Sequence, residues 1–216
     1  MDKNLAMATA EQFDNLTKEY DTVCEKIIVG SLDAITAPAG TKYYYNSQSA
    51  EIILNKSIVK DKNGFYERME KAIERGQFPK ITKGKYDKYV ITHEFAHTLM
   101  DFGSPLSNYI NVDVSNIRKA RKEIVKIHEN YFDEWRSLEI EYRKAEKKAI
   151  ETFDDLDWKE AQKAEERLNE MKISKYADYS IEEFFAEAFA DAKLGSNPSK
   201  YSIEVLKVID KYFKKK

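Results

Sequence analysis

The chain has 216 residues with 36 Lys and Arg against 38 Asp and Glu, and its net charge of −2 gives no global attraction to nucleic acid or to a membrane surface. A single cysteine, Cys24, excludes an internal disulfide and a thiolate zinc cluster, and no run of about twenty apolar residues is present to span a bilayer. Met1-Asp2-Lys3-Asn4 leads into a mixed polar helix and not into the apolar stretch of a signal sequence, so a soluble, cytoplasmic chain is expected.

Four prolines and seven glycines leave few breaks, which predicts a mainly α (α+β) protein of one domain over residues 1–216. A first helix is expected over about residues 6–29, closed by Gly30, followed by a linker through Ala37-Pro38-Ala39-Gly40. Ile52, Ile53 and Leu54 read as a short strand, with Tyr43 to Tyr45 as its hairpin partner across a polar turn. A helix over about 64–75 and a loop over 76–85 then precede a helix over about 88–100, ended by Gly103-Ser104-Pro105.

That helix carries His93-Glu94-Phe95-Ala96-His97, with two of the chain's three histidines. Residues four apart on a helix lie one above the other, so both imidazoles can reach one ion at about 2.0–2.1 Å. Glu94, one position on, can face the open coordination position and take a proton from water that the ion acidifies, the general-base arrangement of a zinc metallopeptidase. The competing reading is a chance match on a helix that buries Phe95, Leu99 and Met100, with Thr92 and Thr98 as hydrogen-bond partners for the imidazoles.

From Ile117 the residues Ala120, Ile124, Ile127, Tyr131, Trp135, Leu138, Tyr142, Ala145 and Ala149 recur at intervals of three and four, a coiled-coil-like seam. Asp154, Asp155 and Asp157 can cap a second helix through Trp158, Ala161, Ala164, Leu168 and Met171. The two predict a helical hairpin inserted at about residues 115–172. It either packs on itself or on the body of the domain, or serves as an arm for a partner, a second copy or substrate. His128, within the first arm, reads as a surface or packing residue.

A catalytic site of this kind needs a third ligand. In Ser174 to Asp191, the residues Phe184, Phe185, Ala188, Phe189 and Ala192 form the apolar face of a helix, and Glu183, Glu187 and Asp191 the opposing stripe. Like charges at i and i+4 repel, which calls for something cationic opposite them. Glu183 is then a ligand and Glu187 the acceptor that fixes a histidine ring through its second nitrogen. Alternatively, Ser180-Ile181-Glu182-Glu183 is a capping box that occupies the Glu183 carboxylate. A last helix is expected over about 199–213.

Tyr176, followed seven residues later by Glu183-Phe184-Phe185-Ala186-Glu187-Ala188-Phe189, together with the His93 motif, resembles the anthrax lethal factor-like zinc metallopeptidases. The secreted Pro-Pro endopeptidases and a peptidase-like domain at the end of some phage minor head proteins are similar. The resemblance implies a zincin-like domain with zinc on His93, His97 and Glu183, Glu94 as general base and Glu187 orienting a ligand. It also implies Tyr176 as the hydrogen-bond donor to the oxyanion of the tetrahedral intermediate, against the plainer reading of a buried aromatic beside Tyr179. It further implies that the strand within Asn46 to Asn55 is an edge along which a peptide substrate aligns, with structural packing as the alternative. In the span between His97 and Glu183 the chain departs from these relatives, much of that span being the inserted hairpin.

Three functions remain open on the sequence. The first is a zinc endopeptidase acting on a protein or peptide. The second is a phage-related structural or interaction protein whose zinc only staples the fold, its site closed by Glu187 or Asp191. The third is a toxin, effector or phage-immunity component that reuses the same chemistry.

Overall fold

The computed structural model describes residues 2–22, 24–31, 39–44, 49–56, 59–100 and 114–216, and among these the chain forms seven α-helices and one three-stranded sheet, a mainly α (α+β) fold. The Asp2 carboxylate accepts hydrogen bonds from the amides of Asn4 and Leu5 and so starts α1 (Lys3–Glu19), whose buried Leu5, Thr9, Gln12 and Leu16 lie on one face. The helix expected to run to Val29 ends ten residues earlier at Glu19, where Tyr20 turns extended. The segment Cys24–Gly30 is instead strand β1. Ile27, Ile28 and Val29 are β-branched and lose side-chain freedom in a helix, and a parallel partner that pairs Ile27 with Ile52 and Val29 with Leu54 claims them.

That partner is β3 (Ser49–Asn55), which also pairs antiparallel with β2 (Ala39–Tyr44), Thr41 standing opposite Ile52. Ala39 and Gly40, expected in a linker, are therefore strand residues. Ala37, Pro38, Tyr45 with the polar turn expected after it, and Gly103-Ser104-Pro105 lie outside the described residues. The order β1-β3-β2 puts β3 in the middle, so the strand expected as an edge is bonded on both sides, and β2 is the outer strand beside the motif helix.

Asp61 caps α2 (Lys62–Glu74) through the amides of Asn63 and Gly64. The motif helix is α3 (Tyr86–Leu99), and twelve of its fourteen residues are buried, so it runs through the core and not along its surface. It is packed by α1, by α6 (Ile181–Leu194) and by β2. Phe95, Phe184, Phe185 and Phe189 are fully buried there, each contributing about 1.5–3 kcal/mol of transfer free energy.

The expected hairpin is α4 (Val114–Thr152) and α5 (Asp155–Met171), with Asp154 capping α5 through the Leu156 amide. Its proximal and distal halves differ. Ile117, Ala120, Ile124, Ile127 and Tyr131 belong to the main core, the Tyr131 ring lying 5.1 Å from Phe184 and 5.5 Å from Tyr201. Beyond Leu138, α4 is matched by α5, where Arg167 pairs with Glu141 and Lys148 with Asp157. The last helix is α7 (Lys200–Phe213). Asp191 accepts from the Ser199 amide at its start, and Gly195 permits the turn between, since a Cβ there would lie 2.5 Å from the Asp191 carbonyl oxygen. Among the described residues no helix is long and apolar enough to cross a membrane.

Candidate metal centre

Packing of α3 against α6 brings the two sequence motifs face to face. His93 and His97 stand one turn apart on α3, and their Nε2 atoms approach to 3.3 Å. Glu183 projects from the first turn of α6 toward both rings, with Oε2 3.3 Å from His93 Nε2 and Oε1 4.0 Å from His97 Nε2. One donor atom from each of the three lies within 4.8 Å of the others, so His93, His97 and Glu183 form a group that can hold a metal ion.

The capping alternative for Glu183 is half realised. The Ser180 hydroxyl accepts from the Glu183 amide at 3.2 Å, which is the cap, while the Glu183 carboxylate faces the histidines. Among the described residues its buried Oε2 makes no hydrogen bond and faces His93 Nε2, while Oε1 is the oxygen toward His97.

Glu187, one turn on, is fully buried. Its Oε1 forms an ion pair with His93 Nδ1 at 2.8 Å and accepts a hydrogen bond from the Tyr89 hydroxyl. Thr92 and Thr98, the imidazole partners offered by the chance-match reading, are engaged elsewhere. The Thr92 hydroxyl donates to the Lys88 carbonyl and accepts from Gln12, and Thr98 bonds the Phe95 carbonyl and Thr22. Both are adjacent in sequence to a histidine but a hundred degrees round the helix from it. Asp191, the third member of the acidic stripe, is held by the Ser199 amide and is not part of the centre.

Glu94 is buried, and its Oε2 accepts from the Thr41 hydroxyl of β2 at 2.8 Å. Burial raises its carboxyl above the ordinary value, while the His93 charge and the Thr41 bond partly offset that. Tyr176, in a 3-10 turn over Tyr176–Asp178, sets its ring 6.2 Å from that of His93 and is 37% exposed, so it borders the centre and is not a core residue. Burial, then the charges of Glu183, Glu94 and Glu187, hold its phenol protonated and able to donate. His128 packs between Phe132 and Phe184, and Cys24 is a buried thiol pushed up to about 11 chiefly by burial.

Two residues of the centre had no place in the motifs. Tyr89 lies four before His93, so the helical repeat that links His93 to His97 also reaches it. Thr41 comes from a strand whose contact with α3 is purely tertiary, and no spacing signals it.

Burial opposes a charge on His93, but Glu183 and Glu187 against its two nitrogens, with the Glu94 charge nearby, raise it to about 10 in the metal-free protein. Because the folded value lies above the ordinary 6.5, the protonated ring contributes stability that is complete below pH 6.5 and is lost as pH rises toward 10. A metal needs the neutral imidazole, so binding near neutral pH is expected to release about one proton per ion and to strengthen as pH rises. Calorimetric titration in buffers of different ionisation enthalpy measures this, and binding without proton release would mean that His93 is neutral beforehand.

No protein-family model matches the chain, and neither a curated protein nor a solved structure matches it. Function is therefore read from the centre itself.

Proposed function

We propose that the protein is a zinc-dependent endopeptidase, with His93, His97 and Glu183 as ligands and Glu94 as general base. The observation that carries this is the convergence of two imidazole Nε2 atoms and the orphaned Glu183 Oε2, with two of the separations at 3.3 Å. A tetrahedral ion with bonds of about 2.0–2.1 Å has ligand-to-ligand edges of about 3.3 Å, so the donors suit zinc in kind and those two separations suit it in spacing, while Glu183 Oε1 stands farther from His97 Nε2 at 4.0 Å. Two nitrogens and one carboxylate are also the ligands of catalytic zinc sites that keep a fourth position open.

A bound zinc supplies Lewis acidity, polarising a carbonyl and acidifying water. Glu94 takes a proton from the attacking water and passes it to the departing amine, and burial, which raises its carboxyl above the ordinary value, favours its taking the proton. Thr41 holds that carboxylate toward β2, the outer strand nearer the centre, along which an extended peptide aligns by main-chain hydrogen bonds. Tyr176 donates to the developing oxyanion, an effect of about 3–4 kcal/mol in comparable sites. Glu187 fixes the His93 ring through Nδ1.

A stapling site closed by four protein ligands finds less support. The two acids that could close it are turned away, Glu187 to the far nitrogen of His93 and Asp191 to the Ser199 amide. The resemblance of the Tyr176 and Glu183 motifs to lethal factor-like peptidases points the same way. Incubating the zinc-loaded chain with a diverse peptide library, with and without chelator, tests the proposal by mass spectrometry of the products. Chelator-sensitive cleavage is expected. Intact peptides alongside a melting temperature that chelation lowers would point to a staple.

A further inference from the structure

We infer that Tyr89 is a positioning residue for the metal centre, its hydroxyl holding the Glu187 carboxylate where that group orients His93; the inference rests on the zinc reading above. Tyr89, His93 and His97 are four apart on α3 and form one stripe facing α6. The Tyr89 ring is 2% exposed and packs 5.1 Å from Phe78 and 6.0 Å from His93. A phenylalanine would fill that space equally well, so packing does not explain the hydroxyl.

The hydroxyl donates to Glu187 Oε1, the same oxygen that lies 2.8 Å from His93 Nδ1. Glu187 Oε2 is buried and has no hydrogen-bond partner among the described residues, none of which anchors the carboxylate on that side. Without Tyr89 it can turn about its last torsion, and Nδ1 loses the fixed acceptor that sets which nitrogen carries the proton and where Nε2 points. Burial, and then the Glu187 charge, keep the phenol far above its ordinary value, so it remains a donor at every working pH.

Zinc affinity is measured by competition with a chromophoric chelator for the wild type, Tyr89→Phe, Glu187→Gln and the double variant, with melting of each metal-free protein as the folding control. Tyr89→Phe is expected to bind zinc about tenfold or more weaker, as losses of outer hydrogen-bond partners do. The double variant should match Glu187→Gln within about twofold, because the hydroxyl acts only through the carboxylate. Wild-type affinity in Tyr89→Phe overturns the inference and leaves the zinc reading standing, whereas a wild type that binds no zinc overturns both. Should Tyr89→Phe be unfolded in plain buffer, the affinities of all four proteins are measured in a stabilising osmolyte, and the same outcomes decide.

Discussion

Replacing Glu94 with Gln is expected to lower kcat/KM for peptide hydrolysis by about two to four orders of magnitude, the range that general bases supply, while zinc stays bound. The amide has the shape of the carboxylate and its oxygen still accepts from Thr41, so what it lacks is the ability to take a proton. Stability should not fall. Burial raises the Glu94 pKa, which means that the charged form is disfavoured in the folded state at neutral pH, and a neutral amide removes that burden. The variant is therefore expected to be inactive and zinc-replete and, once stripped of metal, at least as resistant to heat as the metal-free wild type, as at sites where function conflicts with stability. Turnover on a peptide found by library profiling, metal content, and melting temperature after chelation check all three. Unchanged turnover would remove the base assignment.

Glu183→Ala is expected to weaken zinc binding by more than the factor of about 10 to 100 typical of losing an outer hydrogen-bond partner, because a donor to the ion itself is lost. The helix should survive, since its cap is the Ser180 hydroxyl on the Glu183 amide, which alanine retains. Ser180→Ala is the contrast. It should lower stability by about 1 kcal/mol in denaturant and leave zinc affinity unchanged. If instead Glu183→Ala bound one zinc per chain as tightly as the wild type and lost only stability, the carboxylate would serve the cap and not the metal.

How much of this was legible before folding depends on whether the interaction is local. The His93–His97 pair, the Glu183–Glu187 pair, the seam from Ile117 and the Asp154 cap all follow from helical spacing, and each stands in the fold as read. The stretch from Tyr20 to Val29 carries no proline or glycine and so offers no stop for the first helix, and only the register with β3 reveals that Ile27 to Val29 form a strand. The same parallel partner moves β3 from the edge to the middle of the sheet and leaves β2 beside α3.

Sequence alone determined which donors a metal centre could draw on, since the identity of five side chains and their intervals of one and four residues specify which atoms can meet on each helix. Tertiary structure decided the rest: that α3 and α6 bring their motifs together, that Asp191 belongs to a helix cap, and that Tyr89 and Thr41 complete the surroundings of Glu187 and Glu94. The physical reason is that a helical repeat is enforced by neighbouring backbone hydrogen bonds, whereas which helix or strand lies against it is set by burial of distant apolar surface, and no short interval in the chain encodes that.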